Sequence, residues 1–197
     1  MNNKNSEITN QRKIPNLFII TGPSGVGKDA ILNLMKKQYT SNHYVVTVTT
    51  RSKRDNEING KDYVFVTNQQ FQQTINSDEF LEWAIVYNNK YGVPKNQVAQ
   101  ALSENKNVII KTDVQGAKTI KKIMNEAKTI FLNPPDISKL AEHLNSRMSE
   151  SKESFRLRME TALIEIESRN EFDYVINNQE GKIEQTLEEI NDIIQNC

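Results

Sequence analysis

Cysteine is almost absent from this chain of 197 residues. Its one cysteine, Cys197, is the final residue, which excludes an intramolecular disulfide and a cysteine-based zinc site. Long apolar runs are missing too. No stretch approaches the roughly 18–20 residues that a membrane span requires. An excess of charge of either sign is also lacking, with 25 Lys and Arg against 25 Asp and Glu. A net charge of +0 gives no electrostatic reason to expect nucleic acid or a membrane surface as a partner. Apolar residues make up only 37% of the chain, yet they recur in blocks along it, which argues against disorder. The first thirteen residues, Met1 to Lys13, contain no apolar signal core. They read as a disordered tail, and the expected compartment is the cytoplasm.

The blocks have a rhythm. The short apolar run Leu17–Thr21 has the pattern of a strand buried on both faces, and further apolar runs lie at Tyr44–Val48, Asn107–Ile110, Thr129–Leu132 and Tyr174–Ile176. Helical patterns lie between several of them, at Asp29–Gln38, Lys95–Glu104, Val114–Met124, Ile137–Met148, Lys152–Arg169 and Lys182–Gln195. Alternating strands and helices predict an α/β fold with a mostly parallel sheet covered on both faces. From about Val45 to Val93 the rhythm breaks. Strand-like pieces at Tyr63–Val66 and Leu81–Tyr87, with one helical stretch at Gln69–Ile75, suggest an inserted, antiparallel-rich subdomain. The polar segment Arg147–Arg158 holds little core material and reads as a mobile flap.

The strongest local signal is Gly22-Pro23-Ser24-Gly25-Val26-Gly27-Lys28. It matches GxxxxGK directly after a buried strand and before a helix. Glycines let the backbone curl so that successive N–H groups point at phosphate oxygens. The following helix adds its positive N-terminal end, and Lys28 would reach the β- and γ-phosphates. This points to nucleotide binding. The next position normally carries a Ser or Thr hydroxyl for Mg²⁺, whereas here it is Asp29, itself a good hard-oxygen ligand for that ion.

Further blocks follow: Thr49-Thr-Arg-Ser-Lys-Arg54, Glu57 to Val66 (EINGKDYVFV), Phe80-Leu-Glu-Trp-Ala84, Lys90-Tyr-Gly92, Asp113-Val-Gln-Gly116 and Pro134-Pro135. In order and spacing the chain resembles the guanylate kinase family over nearly its whole length. The resemblance implies a P-loop NTPase core (14–45, 94–140 and 170–197), a GMP-binding subdomain (46–93) and a helical lid (141–169). It implies ATP and GMP as substrates and Mg²⁺ as cofactor, with Asp29 as the metal ligand. Arg51, Arg54, Tyr63 and Tyr91 would hold the phosphate of GMP. Two guanidinium forks and two phenols suit a dianion. Glu82 matches the guanine-reading carboxylate, because guanine offers two adjacent donors where adenine offers an acceptor. By themselves the residues leave a second possibility open, Glu82 on an exposed strand face with Leu81 and Trp83 inward. Thr47 falls where a hydroxyl touches the base, and Asp113 also falls in the substrate site. Arg147 and Arg158 align with lid arginines that close over the transferred phosphoryl group, with Arg156 a nearby extra candidate.

The chain departs from the family at several positions. Val93 stands where a hydroxyl is usual, and His143 where another arginine is usual. Met148 stands where a glycine is usual. Lys111 replaces the first aspartate of a D-x-D pair. Asp29 and Lys111 would fall in one place, so the two are expected to contact each other or to share the metal–phosphate environment. Two rivals have other functions: a P-loop kinase of a phosphorylated sugar, which would not need Glu82, and a non-catalytic binding module, which would not need an intact Gly22–Lys28 loop.

Overall fold

The computed structural model describes residues 16–145 and 152–197. The tail at 1–13 lies outside them. The first strand, β1 (Leu17–Thr21), is buried along its whole length. It is followed by α1 (Lys28–Gln38), β2 (His43–Tyr44), β3 (Val48–Thr49), β4 (Val64–Phe65), α2 (Asn68–Asn76), β5 (Phe80–Val86) and β6 (Asn89–Pro94). The chain continues through α3 (Lys95–Ser103), β7 (Val108–Lys111), α4 (Val114–Ile123), β8 (Lys128–Asn133), α5 (Ile137–Asn145) and α6 (Lys152–Glu167). A 3₁₀ turn at Ser168–Glu171, β9 (Tyr174–Asn177) and α7 (Ile183–Asn196) complete it.

Five strands form a parallel sheet in the order β2-β7-β1-β8-β9. The side chains of β1 alternate between its faces. Leu17 and Ile19 pack with Val108, Ile110 and Phe131 and with Val98 of α3 and Ile120 of α4. Phe18 and Ile20 pack with Ile109, Ile130 and Leu132 and with Met35 of α1 and Leu187 of α7. Full burial of each such side chain is worth about 1.5–3 kcal/mol. The central strands β1, β7 and β8 are apolar on both sides because neither face meets water there, whereas Val175 on the edge strand β9 is exposed. The α/β fold with its mostly parallel sheet is as expected.

A second sheet, in the order β4-β3-β6-β5, is mixed, with β3–β6 and β5–β6 antiparallel and β3–β4 parallel. Helix α2 covers one face of it. Phe71, fully buried, lies with its ring centroid 4.6 Å from that of Phe80. Thr67 starts this helix with a capping box: its hydroxyl accepts from the Gln70 N–H while the Gln70 side chain accepts from the Thr67 N–H.

The structure refines the local reading at three places. The run Tyr44–Val48 is not one strand. The Val45 N–H still reaches the first sheet, donating to Ile109 O at 3.0 Å, but the Val46 N–H goes to the Gln97 side chain and Val48 joins the second sheet. β6, with a glycine and a proline in six residues, has weak strand propensity; β3 on one side and β5 on the other supply its partners. The flap reading is corrected from residue 152 onward, where the chain is the helix α6. Its Phe155, Met159, Ala162 and Ile166, spaced four, three and four apart, pack on Leu140 and Leu144 of α5.

Candidate active site

The loop between β1 and α1 curls through positive φ at Gly22 (142°), Gly25 (89°) and Gly27 (97°). Gly27 occupies the N-cap of α1 in a left-handed conformation and offers no capping side chain, so the first N–H groups of the helix face the loop's concavity. The Lys28 ammonium turns back and donates to Gly22 O at 2.6 Å and Pro23 O at 3.0 Å. Burial lowers its pKa, and the nearby Glu165 and Asp29 carboxylates oppose that shift. Val26 is packed into the core, and the loop is braced from behind by Asn178, whose amide donates to Val26 O at 2.7 Å. Thr186 donates in turn to the Asn178 side-chain oxygen at 3.1 Å.

Two groups on α5 and α6 reach the same loop. Glu165 of α6 is near enough to the Ser24 backbone N–H for that group to act against the rise in its pKa. Burial pushes its carboxyl up to about 7, with Asp113 adding to the shift and Lys28 opposing it. His143 is exposed, and its Nδ1 meets Gly25 O at 3.1 Å.

On the opposite wall, Arg51 makes two bonds to Glu57, at 2.6 and 3.0 Å, and its guanidinium lies 5.3 Å from the Tyr63 ring centroid. Burial alone would lower the pKa of Arg51, but Glu57 and Tyr91 together more than offset it. The Tyr63 and Tyr91 rings meet edge to face at 6.1 Å. Arg54 stands 3.8 Å from Glu57 and is more exposed. At the end of β7, the Lys111 ammonium is 2.5 Å from Asp29 Oδ1, the pairing expected from the two departures.

These walls enclose one cavity of about 440 Å³. The loop side contributes Gly22, Ser24, Gly25, Gly27, Lys28 and Asp29. Thr47, Arg51, Arg54, Tyr63 and Tyr91 of the second sheet and its loops also line it, as do Lys111, Asp113 and Arg158. Pro23 and Val26 are not among the lining residues. Nor is Glu82, which lies just beneath: it is 6% exposed, and burial, with Asp113 adding to it, raises its carboxyl to about 8. In β5 Glu82 and Ala84 are buried while Trp83 between them is exposed, so the exposed-face alternative is overturned; a bulge between Phe80 and Glu82 leaves Phe80 on the other face, against Phe71 of α2. Gly116 is needed there, because a Cβ on it would press on Thr112 and stand 2.9 Å from Glu82 Oε2. Asp113 is oriented as the N-cap of α4, accepting from the Gly116 N–H at 3.0 Å. Val93 is fully buried in the core. Arg147 and Met148 lie outside the described residues. Arg156 points along the helix surface and pairs with Glu160 at 2.8 Å.

Sequence reasoning missed Tyr87, Glu165 and Asn178. Tyr87 and Asn88 have φ of 47° and 63° at the tip of the β5–β6 hairpin. The Tyr87 ring lies 4.9 Å from the Arg158 guanidinium, tying α6 to the second sheet. The Asn88-Asn89 pair after an alternating run was a turn signal that marked this corner.

The fold and the loop define the class, a P-loop NTPase. The guanylate kinase family model matches residues 14–197. The guanylate kinase of Malacoplasma penetrans is 41% identical over 169 residues, covering 84% of this chain and 86% of that one. Guanylate kinase 2, chloroplastic/mitochondrial, of Oryza sativa subsp. japonica is 38% identical over 181 residues, 91% of this chain, which spans 64% of the rice protein's length. The crystal structure of guanylate kinase from Anaplasma phagocytophilum superposes with a TM-score of 0.75 at 28% identity, over 92% of this chain and 85% of that one. The chain belongs to the guanylate kinase family, a group of ATP-dependent nucleoside monophosphate kinases. Among the described residues no helix is long and apolar enough to cross a membrane.

Proposed function

We propose that the chain transfers the γ-phosphoryl group of ATP to GMP, and to dGMP, giving ADP and GDP. The observation that carries this reading is one cavity lined on one side by a phosphate loop and on the other by two arginines and two tyrosines. The division into core, GMP-binding subdomain (46–93) and lid (141–169), and the cytoplasmic location, form part of the proposal. A GMP phosphate oxygen forms the new bond to the γ-phosphorus. The bond from that phosphorus to the β–γ bridging oxygen breaks, and its electron pair leaves with ADP. The attacking oxygen is already anionic at neutral pH, so no general base is needed. Catalysis is then positioning and charge neutralisation of a loose transition state.

Gly22 to Asp29 hold the donor, with Lys28 at its terminal phosphates. Arg158, and Arg147 by the family resemblance, serve the transferred group. Arg51, Arg54, Tyr63 and Tyr91 orient the acceptor phosphate. Mg²⁺ favours one or two carboxylates plus phosphates and waters. Asp29, half-exposed on the cavity wall, with Asp113 nearby, fits that donor set. When bound, the ion supplies charge neutralisation at the donor phosphates. Glu82 reads guanine through N1–H and N2–H₂, with Thr47 beside the base and Asp113 beneath it. Since burial raises its carboxyl to about 8, guanine binding draws a proton off it below that pH, and GMP affinity rises from pH 6 to 8.

A coupled assay of ADP release across GMP, dGMP, AMP, UMP and a sugar phosphate tests the reading. GMP and dGMP are expected to be consumed at least about tenfold more efficiently than AMP. Preference for a sugar phosphate, or no ADP release with GMP, overturns it.

A further inference from the structure

Lys111 stands where the two walls of the cavity meet. Its ammonium is 2.5 Å from Asp29 Oδ1 in the first turn of α1, and 4.0 Å from the centroid of the Tyr63 ring on the acceptor wall. One cation therefore touches the donor side and the acceptor side at once. Its side chain is 10% exposed, whereas that of Asp29 is 50% exposed. The pair is open at its acidic end, and an ion pair of this kind is a weak source of stability. Stability is therefore a poor account of the buried lysine.

The acceptor wall supplies the second half of the reasoning. Glu57 bridges Arg51 with two bonds and stands 3.8 Å from Arg54, so both guanidinium charges are partly compensated before any ligand arrives. The carboxylate that compensates Lys111 belongs to the opposite wall. Burial alone would lower the pKa of this lysine, but Tyr63 and Asp29 outweigh it and keep the ammonium charged. Lys111's position in the strand is held independently of its head group: its backbone carbonyl accepts from Thr47 Oγ1 at 3.3 Å. A dianionic phosphate entering the cage beside Tyr63 attracts this ammonium more strongly than the single negative charge of Asp29 does.

We propose that Lys111 is a phosphate-binding residue of the acceptor site, its ammonium passing from Asp29 to the 5′-phosphate of the incoming monophosphate. The Tyr63 ring face stays in contact with the cation while its anionic partner changes. This inference rests on the reading of the acceptor as a nucleoside monophosphate.

Calorimetric titration with GMP, guanosine and ADP, each alone and in a chelator, tests it without turnover or metal. Lys111→Met is expected to weaken GMP binding about 10- to 100-fold while guanosine and ADP change by less than about twofold. Lys111→Arg, which keeps the charge, is expected to retain most of the GMP affinity. Asp29→Asn, which removes the competing charge, should tighten GMP about three- to tenfold, and it reads the same question if Lys111→Met does not fold. Unchanged GMP affinity in Lys111→Met, an equal loss for guanosine, or a loss confined to ADP overturns the inference alone. So does weaker or unchanged GMP binding in Asp29→Asn. A parent protein that binds neither GMP nor guanosine overturns the acceptor reading and this inference together.

Discussion

The two walls of the cavity are built by different means. The donor wall is backbone: a loop of seven residues between one buried strand and one helix, its curvature set by glycines at positive φ and its single functional side chain hydrogen-bonded to the loop's own carbonyls. The other wall, the proposed acceptor wall, is side chains drawn from separate strands and turns, held in place by Glu57 and by rings that meet edge to face, with the Glu82 carboxyl buried nearby. A backbone site binds what every triphosphate shares. A side-chain site can tell one base from another, at the cost of burying groups that would rather be in water.

The largest effect expected from disturbing this contrast is on the donor wall. Lys28→Met should lower kcat/KM by about 10²–10³ while GMP binding measured without ATP stays within about threefold, since the lysine serves charge that develops during transfer. Comparable losses in both measurements would mean that the walls are not separable. Arg158 tests the roof that joins them. Arg158→Ala should lower kcat about 10- to 100-fold with a smaller change in KM for GMP. Stopped-flow and steady-state rates compared at saturating GMP check this, and an effect on KM alone would move Arg158 to the acceptor wall.

Glu82 gives the smallest change in rate and the sharpest distinction. Glu82→Gln should erase at least about tenfold of the preference for GMP over AMP. It should also reveal what the native carboxylate costs. In the folded chain the Glu82 carboxyl sits at about 8 against an ordinary 4.5, so the native state holds a proton that the unfolded state has released. Stability from this group is fully present below pH 4.5 and is lost as pH rises toward 8. The glutamine variant should therefore melt near the parent's temperature at pH 4.5 and about 3–10 °C above it at pH 8. Equal melting curves at pH 8 would place Glu82 in contact with water.

Much of this contrast was legible beforehand, and unevenly. The loop from Gly22 to Lys28 was readable because all its determinants are contiguous: strand, glycines, lysine and helix follow one another, and no distant residue is needed to shape them. The acceptor residues Arg51, Arg54, Tyr63, Glu82 and Tyr91 were nameable only through the family's block order. By themselves the arginines fitted a solvated basic loop better, the tyrosines fitted packing positions, and Glu82 fitted an exposed strand face equally well. Tyr87 and Glu165 went unread because their importance comes from what lands on them. Tyr87 matters because Arg158 of α6 lies over its ring, and Glu165 because α6 folds back onto Ser24. The run from Tyr44 to Val48 looked continuous because hydropathy does not record that Gln97, about fifty residues on, takes the Val46 N–H and turns the chain between sheets.

The sequence by itself determined the α/β alternation, the phosphate loop and the family, because apolar periodicity and glycine placement act over short stretches of chain. Only the tertiary structure decided that Glu82 is buried and costly to ionise and that Arg51 is already partnered. It also decided that Lys111 spans the seam between the walls. Those outcomes depend on which charges and rings are brought within a few ångströms across strands far apart in sequence, and electrostatic and desolvation energies are set by that proximity.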